Sequence, residues 1–83
     1  MSRLDKWLFC ACFCRTRAVA QTVVAAGRVR INGNRVEKPG HAVKPGDVLT
    51  LGKGTDVMAV RILAVAERRG TAAQARTLYQ VLE

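Results

Sequence analysis

Residues 27–36 read Gly27-Arg28-Val29-Arg30-Ile31-Asn32-Gly33-Asn34-Arg35-Val36, or GRVRINGNRV. Val29 and Ile31 alternate with Arg28 and Arg30, the period of a strand with one buried face. Asn32-Gly33 is the strongest short hairpin signal in the chain, because a two-residue turn needs left-handed backbone that these residues tolerate. With those two as the turn, Ile31 faces Asn34, Arg30 faces Arg35 and Val29 faces Val36. A four-residue turn would set Ile31 against Val36 and still leave Arg30 and Arg35 on the outer face. Like charges opposed across two strands cost stability. A hairpin that keeps them implies a negatively charged partner.

Upstream of the hairpin, Gly27 sits where a helix wants a left-handed C-terminal cap. Ala18 to Ala26 is apolar on most faces, and Thr16 is a good N-cap. These features predict a largely buried helix over 17–26. Before it, Leu4, Trp7, Leu8 and Ala11 recur at helical spacing, and Ser2 with Asp5 resembles a capping box. A first helix is expected over 3–13, with Arg3 and Lys6 off its apolar stripe. Downstream, Lys38-Pro39-Gly40 and Lys44-Pro45-Gly46 suit tight turns, with each glycine at a position needing positive φ. Strands are expected over 47–51 and 57–65, separated by a turn at Gly52-Lys53-Gly54. Thr71 and Gln74 form a second capping-box pattern ahead of a short helix over 72–82. The fold class is α+β: two N-terminal helices packed on a small, mostly antiparallel sheet with an Arg-rich hairpin, plus a short C-terminal helix.

The 83 residues make one small domain with a net charge of +8. That charge is unevenly placed. Residues 1–44 hold Arg3, Lys6, Arg15, Arg17, Arg28, Arg30, Arg35, Lys38 and Lys44 against only Asp5 and Glu37, whereas the remainder is almost balanced. Such a half is the electrostatic footprint of a polyanion binder. No run of about 18 apolar residues is present to span a membrane. The start, Met-Ser-Arg-Leu-Asp-Lys, does not look like a signal peptide. Cys10, Cys12 and Cys14 fit reduced thiols in a reducing compartment. The localisation expected is cytoplasmic.

Little in the chain suggests catalysis. The lone histidine, His41, has no obvious sequence partner, and no phosphate loop or dinucleotide fingerprint occurs. No enzyme activity, small-molecule substrate, cofactor or metal is expected. Three thiols spaced Cys-x-Cys-x-Cys on a helix do not readily converge on one ion, so they read as small buried hydrophobes. A redox-sensitive surface thiol is the other reading. Arg15-Thr16-Arg17, by contrast, opens the second helix, where free N–H groups and the helix dipole favour an anion. Two guanidinium groups and a hydroxyl add donors suited to a phosphate. Arg3 and Lys6 share a face at i and i+3, while Arg28, Arg30 and Arg35 share the hairpin's outer face. If the first helix and the hairpin flank the second helix, these groups line one surface. Neither helix resembles a major-groove reader, and Trp7 belongs to the core stripe, so structured RNA suits the surface better than duplex DNA or single strands. The RNA-binding set is Arg3, Lys6, Arg15, Thr16, Arg17, Arg28, Arg30, Arg35 and Lys38.

Arg3-Leu4-Asp5-Lys6-Trp7-Leu8, Arg15-Thr16-Arg17, Gly27 to Gly33, Val36, Lys38-Pro39 and Gly46-Asp47 follow one another in an order that resembles a known domain. It is the alpha-L RNA-binding domain first named for ribosomal small-subunit protein four. The resemblance covers about residues 2–51 and suggests such a domain over 1–52, with 53–83 a strand-and-helix extension of the same compact unit. The whole chain resembles the small ribosome-associated heat-shock protein family, with Val60-Arg61, Glu67 to Gly70 and Ala75 to Tyr79 similar to that family's extension. That family implies binding to structured ribosomal RNA on the large subunit, with peptidyl-tRNA a further partner, in recycling or quality control of stalled subunits. In the family a basic residue commonly stands where this chain has Cys12. Two other readings are open: an RNA-targeting domain of a larger RNA-modifying enzyme or tRNA synthetase, and a basic protein-interaction or membrane-surface module. A membrane-surface helix would join basic residues to large apolar ones, and the alanine- and valine-rich second helix is not so built.

Overall fold

The computed structural model describes residues 2–53 and 55–82. In chain order the elements are β1 (Ser2–Arg3), α1 (Leu4–Cys10), α2 (Arg17–Ala25), β2 (Val29–Ile31), β3 (Asn34–Val36), β4 (Ala42–Val43), β5 (Val48–Lys53), β6 (Asp56–Ile62), α3 (Ala72–Arg76) and β7 (Tyr79–Leu82). β1 and β4 form a two-stranded ribbon; the other five strands form an antiparallel sheet in the order β3-β2-β5-β6-β7. The architecture is the α+β arrangement expected.

The hairpin takes the two-residue register, with Val29 opposite Val36, Arg30 opposite Arg35 and Ile31 opposite Asn34. Asn32 (φ 51°) and Gly33 (φ 86°) both adopt left-handed backbone, as a type I′ turn requires. The Asn32 side chain secures the turn: its amide donates to Asp47 Oδ1 at 3.2 Å, and its oxygen accepts from the Val48 N–H at 3.0 Å.

Inward-facing Val29, Ile31, Val36, Leu49, Leu51, Val60 and Ile62 pack against Leu4, Trp7 and Leu8 of α1 and Ala20 and Val24 of α2. Trp7 lies at the centre, fully buried. Its indole N–H donates to Ala64 O at 2.9 Å, and its ring meets Phe13 and Tyr79 at centroid separations of 5.8 and 6.5 Å. The polar end of the indole is thereby satisfied inside an apolar core.

Several boundaries differ from the sequence expectation. Helix α1 stops at Cys10, three residues short of the expected end, because Cys12 turns left-handed (φ 62°). The N–H groups of Phe13 and Cys14 then return to Leu8 O at 3.0 and 3.3 Å, closing the helix end. At the other end Ser2 is not a cap; it pairs with Val43 in the ribbon. The Leu4 and Asp5 N–H groups instead donate to His41 O (2.8 Å) and Pro39 O (3.1 Å), so the 38–41 loop caps the helix through its backbone.

Helix α2 is capped by Thr16, whose hydroxyl accepts from Val19 N at 3.1 Å, and followed by Gly27 at φ 74°. It is not largely buried, however. Only Ala20 and Val24 are, since α2 packs along one stripe and Val19 is 44% exposed. Of the two Lys-Pro-Gly turns, Gly46 has positive φ (96°) but Gly40 does not. Gly52 and Lys53 extend β5 rather than turning, through pairing with Val57 and Asp56; Gly54 lies outside the described residues. Strand β6 ends at Ile62. Helix α3 keeps the expected capping box but ends at Arg76, and residues 79–82 form β7 against β6. Tyr79 and Val81 suit a strand, and the free edge of β6 supplies hydrogen bonds that overrule the helical spacing of Leu78, Tyr79 and Leu82.

Candidate nucleic-acid interface

Asp5 organises the helical part of the basic surface. Its carboxylate is fully buried and accepts from Arg3 Nε and Nη2 (3.2 and 3.3 Å), Arg17 Nε (3.4 Å), Gln21 Nε2 (3.0 Å) and the Lys6 N–H (2.8 Å). Burial alone would raise its pKa. The Gln21, Arg3 and Lys6 hydrogen bonds and the charge of Arg17 outweigh that and hold it below the ordinary 3.8. Two guanidinium groups thus converge on one carboxylate and leave an excess positive charge. The Arg3 and Arg17 side chains stay about half exposed, at 53% and 45%, so both can still meet a ligand.

The structure brings Arg3, Arg17 and the Lys38–His41 loop together around the start of α1. Thr16 caps α2 through its oxygen, which leaves the hydroxyl proton as a donor. Arg15 is exposed, just before that cap. Lys6 is drawn elsewhere: its Nζ lies 3.1 Å from Glu67 Oε2, so it does not share a partner with Arg3.

On the hairpin, strand alternation points Arg30 and Arg35 away from the core that contains the helices. Arg35 runs toward Gly27, where an added Cβ would collide with its guanidinium, and its Nε lies 3.7 Å from Glu37 Oε1. Arg28 is exposed just before β2. Arg30 and Arg35 thus face outward from the sheet, whereas Arg3 and Arg17 gather on Asp5 at the helix starts. These basic residues therefore form two groups, one at the helix starts and one on the sheet.

Three contributors were missed in the sequence. In the sequence Asp5 stands as half of a capping box and as one of two acids in the basic half, and neither reading makes it the shared partner of Arg3 and Arg17. Gln21 offered no signal. Arg69 could not be found by spacing: its Nη1 donates to Arg15 O at 2.9 Å, its Nε approaches Cys12 Sγ at 3.5 Å, and its guanidinium stacks 4.8 Å from the Phe9 ring centre. It thereby ties the extension to the loop that presents Arg15. Cys10 and Cys14 are buried, and burial pushes both thiols up; Cys12 is exposed. Among the described residues no cluster of three metal-ligating side chains occurs, and no helix is long and apolar enough to cross a membrane.

The S4 domain family model matches residues 2–49. The chain is 43% identical over 81 residues to the heat shock protein 15 homolog of Aeromonas salmonicida, covering 98% of this chain and 61% of that protein. It is 39% identical over 79 residues to the RQC P-site tRNA stabilizing factor of Halalkalibacterium halodurans, covering 95% of this chain and 88% of that one. Among solved structures, a trimeric structure of Vibrio cholerae heat shock protein 15 superposes with a TM-score of 0.90 at 39% identity, over 96% of this chain and 80% of that chain. The chain thus spans about three fifths of the length of the curated heat shock protein 15 relative. It belongs to the S4-domain family, the alpha-L type of RNA-binding domain, and is homologous along nearly its whole length to heat shock protein 15.

Proposed function

We propose that this protein is a non-catalytic RNA-binding protein of the cytoplasm that binds structured ribosomal RNA on the large ribosomal subunit. There it acts in recycling or quality control of stalled subunits, next to peptidyl-tRNA. The observation that carries the reading is the outward pair of Arg30 and Arg35, held in register across the hairpin. The repulsion costs at most about 1 kcal/mol on a wet face. A phosphate between the two arginines would remove it and release counterions.

In this reading Arg3, Arg15, Thr16, Arg17 and Lys38 hold phosphates at the helix starts, while Arg28, Arg30 and Arg35 hold others on the hairpin. Lys6 joins them by exchanging its exposed partner Glu67 for a phosphate, since such surface pairs are worth under about 1 kcal/mol. Two separated basic groups suit an extended polyanion better than a compact ligand. The names of the relatives, a heat shock protein and a P-site tRNA stabilizing factor, support a ribosomal setting.

The test is co-sedimentation of purified protein with separated ribosomal subunits across a salt series. Binding to large subunits should weaken steeply with salt, with a slope corresponding to about four to six phosphate contacts. Arg30→Glu combined with Arg35→Glu should abolish it while leaving the thermal midpoint near that of the unaltered protein. Unchanged affinity in that variant would remove the hairpin from the site; no binding to subunits would remove the ribosome.

A further inference from the structure

The sheet's outer face extends beyond the hairpin into the part of the chain that the family model does not reach. Cross-strand register sets the outward positions in rows. Arg35, Arg30, Thr50, Ala59 and Leu82 form one row across all five strands; Val48, Arg61 and Gln80 form the next. The middle of this face is floored by short side chains, Thr50 and Ala59, with Gly52 beyond them. Arg30 and Arg35 stand on one side of this floor, and Arg61 with Gln80 on the other. All four are exposed.

From a strand spacing of about 4.8 Å and a rise of about 3.3 Å per residue, the Cα atoms of Arg30 and Arg61 lie about 12 Å apart. The face is also poor in negative charge. Asp5 and Asp47 are buried, Glu67 pairs with Lys6, Glu37 pairs with Arg35, and Asp56 lies at the hairpin end of β6. Among the described residues no ion pair holds Arg28, Arg30 or Arg61. Val57, 71% exposed, stands beside Gly52 at one end of this face, and Val48 and Leu82 lie within its rows. Between them Thr50 and Ala59 leave a shallow, cation-bordered path that fits a phosphodiester backbone lying across it.

We infer that Arg61, with Gln80 beside it, is a further RNA contact, so that the bound RNA crosses the outer sheet face from the hairpin to β6 and β7. The inference rests on the RNA-binding reading above and lengthens its footprint. Arg61 supplies a charged fork for a phosphate, and Gln80 supplies an uncharged donor for a neighbouring phosphate or 2′-hydroxyl.

The experiment measures binding to purified bacterial large-subunit ribosomal RNA across a salt series for the unaltered protein, Arg61→Gln, Arg30→Gln and, as a control on α3, Arg76→Gln. Losing one phosphate contact should lower affinity about four- to sixfold at 0.15 M salt and reduce the salt slope by about 0.7–0.9. Arg61→Gln and Arg30→Gln should each show this, and Arg76→Gln should not. Thermal melts check that the variants fold. Independently of any variant, the backbone amide signals of Thr50, Ala59 and Gln80 in the unaltered protein should shift on titration with a short hairpin RNA. If Arg30→Gln weakens binding while Arg61→Gln does not, or if those amides stay still while hairpin amides move, Arg61 serves only solubility and this inference falls alone. If the unaltered protein binds no RNA, the functional reading falls first and takes this one with it.

Discussion

At the scale of single residues, Asp5 has the most consequences. It is fully buried yet accepts five hydrogen bonds, and both of its arginine partners remain about half in solvent. Removing the carboxylate therefore leaves solvated cations, not buried ones. Asp5→Asn should cost about 2–3 kcal/mol, the scale of hydrogen bonds to a charged group, and less than the loss of half a fully buried pair. The carboxylate's folded pKa lies below the ordinary 3.8. Its stabilisation is thus fully present above that value and is lost as pH falls through the lower folded one. Thermal melts of the unaltered protein and Asp5→Asn should differ at neutral pH and converge in strong acid. The thiols give a second residue-level expectation. Iodoacetamide should label Cys12 alone in the native protein, with Cys10 and Cys14 reacting only after denaturation, and intact mass would count the adducts.

At the scale of elements, the hairpin was the most legible part of the chain. Its register depends on a two-residue turn whose backbone needs are local, so Asn32-Gly33 could announce it without reference to anything distant. The cap at Gly27 was legible for the same reason. Gly27→Ala places a side chain at φ 74° and against the Arg35 guanidinium. The guanidinium can swing away, so the cost should be mainly backbone, about 1–2 kcal/mol. The displaced Arg35 should weaken RNA binding as well, which paired denaturation and binding curves would detect. The end of α1 was not legible, because its left-handed residue is a cysteine and not a glycine. Nor was β7, whose helical spacing was real but lost to a partner strand.

At the scale of the whole molecule, the extension completes the fold rather than decorating it. β6 and β7 close the sheet, Tyr79 packs on Trp7 and Phe13, and Arg69 grips the loop before α2. We therefore propose that residues 53–83 fold as one unit with the segment before them. Deleting residues 79–83 strips the edge of β6 and opens a space beside Trp7. Tyr79 is partly buried against the core, and losing it together with the β6–β7 hydrogen bonds costs several kcal/mol, a large share of the stability of a small domain. The truncated chain should show no cooperative thermal transition by circular dichroism, although the family-matched residues 2–49 are intact. A sharp transition would mean that the fold stands without β7.

What the sequence determined by itself were the features set over a few residues or by composition. These are the basic half, the hairpin register, the Thr16 and Thr71 caps, the helical stripe of Leu4, Trp7 and Leu8, and the α+β class. Tertiary structure alone decided which charges share a partner, that backbone carbonyls of Pro39 and His41 cap α1, that α2 leaves most of its surface in water, and that residues 79–82 join the sheet. The division follows from range. Turn and cap preferences are settled by neighbouring dihedrals and one or two hydrogen bonds. Partner choice for Asp5, Lys6, Arg69 and Tyr79 depends on groups brought close by folding, with sequence separations as large as 72 residues between Trp7 and Tyr79.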